Sequence, residues 1–225
     1  MGEMISVRAD VQRIAEHIYT AHQNGISQSD AIADAAKKRL EPAMATIEAR
    51  ALAYQQAAKT ASLSWTQVLA FDKPADALIG SVRDEMWNLL GRPKRSPLMD
   101  EVFPSGIGMY TSGDPSGQPV LMEVLMARIG DASAPQWSAA KRAGWIAAIE
   151  AAREPFAAAV KVHLPKAAAK MVADAAYRAV VRAGHVGLCN LKRDLKSLGL
   201  TETQIHEIIP DASKPKANAG AHKEG

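Results

Sequence analysis

The sequence predicts an all-α protein: a bundle of about eight helices built on long antiparallel hairpins, broken by one long Gly/Pro-rich crossover loop. Three observations carry this expectation. Apolar residues recur at steps of three and four over long windows, helix start and stop residues fall where those runs begin and end, and no segment alternates convincingly as a half-buried strand does. The short run "IGMYT" is the one strand candidate.

The first helix is expected from about Ile5 to His22, with Val7, Val11, Ile14 and Ile18 on one face and Asn24-Gly25 as its stop. "ISQSD" then supplies Ile26 as a staple, Ser27 as N-cap and Asp30 three residues on. The series Ile32, Ala36, Leu40, Ala43, Ile47, Ala51, Tyr54, Ala58 gives a long helix with a coiled-coil-like seam, in which Pro42 marks a kink or a fresh start. Further starts are read at Ser64 (staple Leu63, box partner Gln67), at Ser133 with Gln136, and at Thr201 with Gln204. Helices are placed at about 74–90, 119–130, 134–163, 165–184, 187–198 and 201–209, with Gly91, Gly130, Gly184 and Gly199 as stops. The folded body is 1–209, as halves 1–91 and 119–209 joined by the loop 92–118. The tail 210–225, which has no apolar residue larger than alanine beyond Pro210, is expected to be disordered.

Hydrophobic residues make up 48% of the 225 and charged residues 23%, a globular composition. Aromatics are only 5% and alanine supplies much of the apolar share. Ala-rich helices therefore have to gain stability by close packing. The single Cys189 excludes an intrachain disulfide and a four-cysteine zinc site. Neither an apolar leader core nor a run of eighteen apolar residues occurs, so a cytoplasmic protein without a membrane span is expected.

Catalytic motifs are scarce. The loop "FPSGIGMYTSGDPSGQP" lacks the Gly-Lys-Ser/Thr of a phosphate loop and the glycine spacing of a dinucleotide site. No glutamate has a histidine three residues on, which excludes the paired Glu-x-x-His motif of di-metal bundles. His185 and Cys189 are four apart, a spacing that would face imidazole towards thiol on a helix, although Gly184 and Gly187 argue against a helix there. Cys189 is read as a small buried side chain, and no catalytic residue, metal or cofactor is assigned.

Two surfaces remain. Arg92, Lys94 and Arg95 precede the loop, and Ile107, Met109 and Tyr110 lie within it; together they are the candidate partner-binding residues. Residues 161–196 carry a local basic excess in a chain of net charge +3, with Lys166, Lys170, Arg178 and Arg182 inside one arc of a helix and Ala169, Val172, Ala176, Ala179 and Val180 opposite as core. Such a stripe fits phosphate backbone, though no aromatic stacking platform accompanies it. The function expected is a non-catalytic helical interaction or scaffold protein, a homo-oligomer and most simply a dimer, with a protein partner possible. The alternatives are a nucleic-acid-associated protein using 161–196, and an enzyme whose site is assembled between helices.

Overall fold

The computed structural model describes residues 4–211, which places most of the expected 210–225 tail outside the described residues. Among them are seven helices, α1 (Val11–Ile26), α2 (Asp30–Leu89), α3 (Pro97–Val102), α4 (Gly108–Thr111), α5 (Gln118–Asp131), α6 (Ala139–Ser197) and α7 (Glu202–Ile208), with a 3-10 turn at Pro115–Gly117. The all-α bundle of long helices is as expected, and the "IGMYT" strand candidate is helical in α4.

The largest difference from the sequence reading is continuity. Six expected segments merge into α2 and α6, of 60 and 59 residues. Pro42, Pro74, Pro155 and Pro165 lie inside them and all four are exposed. A proline in a helix interior frees a carbonyl one turn back, and on a solvent face water takes that carbonyl, so the helix bends rather than ends. Ser64 is likewise no cap. It is buried in mid-helix, with its hydroxyl against the Ala61 carbonyl (2.9 Å).

Other expected boundaries move by a turn. Asp10 caps α1, its carboxylate accepting from the Gln12 and Arg13 amides, so the helix starts at residue 11 and not at 5. Ser27 closes α1 instead of opening α2, and Ser29 supplies the first carbonyl of α2. Ser138 accepts from the Lys141 amide at the head of α6, five residues beyond the expected Ser133. The Thr201–Gln204 capping box forms as read. Gly91 (φ 78°) and Gly199 (φ 85°) take the left-handed conformation of helix stops.

The described chain divides into two compact units, residues 4–56 with 171–211 and residues 57–170. The first unit packs α1, the start of α2, the end of α6 and α7 around Ile14, Ile18, Leu40, Ile47, Val181, Leu188, Leu191, Leu195 and Ile205. Within it α2 and α6 run antiparallel, Arg39 meeting Asp194 (2.6 Å) and Tyr54 meeting Tyr177. Here the supposed helix breakers serve as contact points. A Cβ on Gly187 would lie 2.5 Å from the Arg39 carbonyl oxygen, one on Gly184 2.4 Å from Ile18 Cδ1, and one on Gly25 2.6 Å from Ala36 Cβ. Gly25 and Gly184 are thus buried inside helices where stops were expected.

The second unit is built on larger side chains. Val68, Ile79 and Met86 of α2 face Trp145, Ile149 and Phe156 of α6, again antiparallel, and the chain between them adds Val102, Phe103, Tyr110, Met122, Leu125, Ile129 and Trp137. Trp137 is 1% exposed, donates its ring N–H to the Met86 carbonyl (3.2 Å) and packs edge-on to Trp145. The stretch 92–118 is therefore a short-helix layer on this core rather than an open crossover.

Gly187→Ala should lower unfolding stability by about 1–3 kcal/mol, because the added methyl meets backbone that cannot swing aside. Gly144, with nothing within 4 Å of its Cβ position, is the control in the same helix. Gly144→Ala should raise stability by up to ~1 kcal/mol. Denaturant midpoints of the two variants check both signs.

Candidate functional site

The six candidate partner residues separate in the structure. Tyr110 is fully buried, donates its hydroxyl to the Val102 carbonyl (2.7 Å) and packs edge-on to Phe103. Ile107 and Met109 are half-buried against the same core. Tyr110 thus has no surface to offer, and all three residues pin the segment 103–111 to the second unit, Ile107 and Met109 keeping part of their surface. Arg92 occupies a left-handed turn (φ 56°) and donates from Nε to the Asn88 side chain (2.6 Å).

Lys94 and Arg95 are exposed and border a cavity of about 240 Å3 with Arg83, Trp87, Asp100 and Phe103. The Arg83 guanidinium lies 5.4 Å from the centre of the Trp87 ring, whose N–H donates to the Pro93 carbonyl (3.1 Å) and so holds the ring against the turn. Arg83 also pairs with Asp84 (3.0 Å), and Arg83, Lys94 and Arg95 outnumber Asp84 and Asp100, so this is a cationic niche with an aromatic wall. The sequence flagged its lysine and arginine but not Arg83 or Trp87, which reach it from the preceding helix.

The basic region is rearranged by the real packing. In the first unit the buried ridge of α6 runs through Val181, Gly184, Leu188, Leu191 and Leu195, whereas Val172, expected in the core, is 70% exposed; Ala179 is exposed as well. Arg178 is held by Asp174 (2.7 Å), and Lys192 and Lys196 both meet Glu202 (3.2 and 2.6 Å). Lys170 and Arg182 are exposed and Lys166 half-buried. The basic excess of 161–196 is thus partly neutralised from outside that window.

Two pairs have the look of catalysis. His185 Nε2 donates to the Ile5 carbonyl (2.8 Å), which leaves Nδ1 as the acceptor facing Cys189 Sγ at 4.0 Å. The helix is continuous here, contrary to the doubt raised by its glycines. Ser64 Oγ lies 3.0 Å from His163 Nδ1, a pairing invisible in the sequence because the two are 99 residues apart. Ser64 is 2% exposed, however, and a nucleophile closed to substrate is a packing polar group. Asp114 spends its carboxylate on the Ser116 amide (2.9 Å), which holds its carboxyl below the ordinary range. Among the described residues no group of three or more His, Cys, Asp or Glu is placed to hold a metal, and no helix is long and apolar enough to cross a membrane.

An apolar groove of about 440 Å3 lies in the second unit between α2 and α6, bordered by Ala70, Phe71, Pro155, Ala158, Ala159 and Val162. Leu63, 62% exposed, precedes Ala70 and Phe71 by seven and eight residues, so it extends the same helix face. Val162 is 48% exposed.

Comparison of the chain with protein-family models, curated proteins and solved structures gives no match.

One ion pair of this unit has a measurable pH signature. Glu85 takes Lys141 on one oxygen and the Trp145 ring N–H (2.8 Å) on the other, and these bonds hold its carboxyl below the ordinary range. A depressed carboxylate contributes stability that is present above its unfolded pKa and lost as pH falls through the folded one. Glu85→Gln should therefore lower stability at neutral pH, by no more than about 1 kcal/mol at this half-exposed position, and flatten its decline below pH ~4.5. Urea midpoints from pH 7 to 3 check it.

Proposed function

We propose that the protein is a non-catalytic helical interaction protein that self-associates through the face of its second unit. The observation that carries this reading is the apolar groove between α2 and α6, with Phe71 in its wall and Leu63 and Val162 standing exposed beside it. The same unit buries Phe156, Trp137 and Trp145 almost completely, so it has a sufficient core of its own and does not need these side chains for folding. Exposed aliphatic residues grouped on one helix-pair face are costly in water and mark contact surfaces.

A second copy is the occupant favoured, because a groove of small residues between two helices receives a helix ridge of the kind α2 itself presents. Two-fold pairing would bury Leu63 and Val162 reciprocally without new sequence, and it is the commonest closed solution. The closed state of Ser64 and the pairing of Arg178, Lys192 and Lys196 with carboxylates support a surface role over an enzymatic or phosphate-binding one.

Sedimentation equilibrium tests the reading. The expected result is a mass that rises from 24.0 kDa towards twice that value with concentration. The pair Leu63→Glu and Val162→Glu, both at exposed positions, should weaken association by about tenfold or more while leaving the helical spectrum unchanged. A single constant mass of 24.0 kDa at every concentration would overturn it.

A further inference from the structure

The first unit holds a different kind of cavity, a cleft of about 560 Å3 lined by α1, α2 and α6. Three of the four tyrosines of the chain, Tyr19, Tyr54 and Tyr177, form its walls together with Glu16 and Glu48. The rings of Tyr54 and Tyr177 are close to parallel (10°) with centroids 6.2 Å apart. No lysine or arginine lines the cleft among the described residues. The nearest arginine along α6, Arg178, is turned to Asp174 instead.

Glu16 and Glu48 bring two carboxylates to this cleft, and the Arg178 charge also acts on Tyr54 in its wall. Glu16 accepts one weak hydrogen bond from the Gln12 amide (3.3 Å), and among the described residues Glu48 has no ion-pair partner. Burial first, and then the Glu48 charge, push the Tyr19 hydroxyl above its ordinary value; Tyr177 moves the same way through burial and then Asp10, Tyr19 and Glu16. Burial resists charge of either sign, and it is the smaller contribution, the negative charge of Glu48, Asp10 and Glu16, that favours a cation here. Ring faces carry negative quadrupole density, so aromatic and carboxylate walls act in the same direction on a positively charged guest. The volume falls in the range of ~300–1,000 Å3 common to small-molecule sites.

We propose that the Tyr19–Tyr54–Tyr177 cleft binds an ammonium group, seated against the tyrosine rings with Glu16 and Glu48 supplying the countercharge. The ammonium belongs either to a free polyamine or to a lysine side chain of a peptide. The two sources share this chemistry and differ in what flanks it. The cleft lies in the first unit and the self-association groove in the second, so neither reading depends on the other.

The experiment is a titration of the full chain, at constant ionic strength, with spermidine in one arm and an Nα-acetyl-lysine amide in the other, read by tyrosine ring signals in NMR. Saturable shifts are expected at Tyr19, Tyr54 and Tyr177, while Tyr110, buried in the other unit, stays unchanged as an internal reference. The arm that saturates at lower concentration identifies the source. Glu48→Gln, at an exposed position, and Tyr54→Leu, which leaves every charge in place, should each weaken binding by about tenfold. Failure of both probes to saturate at millimolar concentration would overturn the proposal. So would binding that Tyr54→Leu leaves unaltered in a folded variant, because that would be diffuse attraction to surface carboxylates. Loss in both variants with retained helicity supports it.

Discussion

The approach of α6 to α1 and α2 in the first unit, closer than side chains permit, is the constraint from which the other features follow. Where alanine dominates the apolar composition, each residue buries little area, and the deficit is offset only by bringing backbones near enough for dense dispersion contact. Gly184 and Gly187 make this possible, one against Ile18 and Ala43 and the other against the Arg39 carbonyl. Once α6 is seated there, Leu188, Leu191 and Leu195 are committed to the core, Arg39 comes within reach of Asp194, and His185 reaches the Ile5 carbonyl. Glycine in mid-helix costs about 1 kcal/mol of propensity relative to alanine, a loss that the neighbouring helices return as contact.

The second unit reaches the same end by the opposite means. Its segment 90–138 delivers Phe103, Tyr110 and Trp137 to the core, and the polar atoms of the latter two are met by the Val102 and Met86 carbonyls. Large rings with satisfied polar ends bury much area per residue, so no backbone contact is needed. This also explains why a glycine- and proline-rich stretch, which resembles a ligand loop in the sequence, folds as short helices with Ser96 and Asp114 as caps.

What was legible in the sequence was local. The Thr201–Gln204 box, the left-handed Gly91 and Gly199, and the helical periodicity depend on residues within a turn of each other, and all are found. What was illegible depended on partners far along the chain. A glycine that stops a helix and a glycine that admits a neighbouring helix look alike locally, so the sequence alone makes stops of Gly25 and Gly184. Ser64 carried a full start signature, staple and box partner included, yet tertiary packing drew it into the interior beside His163. The face of α6 was misjudged for a related reason. With alanines all round, the sequence allows several phases, and the contact with α1 and α2 selects the one in which Val172 faces solvent. Of the candidate surfaces, the Lys94–Arg95 niche was half visible, and the tyrosine cleft was not visible at all, because its three rings come from three helices.

Function, on this account, follows from where the sequence has apolar or aromatic side chains beyond those its cores consume. The second unit has Leu63 and Val162 to spare on a helix-pair face, beside the core-packed Phe71, and the first has three tyrosines and, among the described residues, a glutamate without an ion-pair partner around a cleft. The cleft depends on the helices of the first unit being held by their close approach, and the groove on the large rings that set the helix pair of the second. The most direct measurement of that approach is a double-mutant cycle between Gly184→Ala and Ile18→Val, since the methyl added at 184 would meet Ile18 Cδ1, the atom that valine lacks. If the account is right, the destabilisation caused by Gly184→Ala shrinks by about 1 kcal/mol or more in the Ile18→Val background. If the two changes are instead simply additive, the helices are not in the contact described and the account fails at its root.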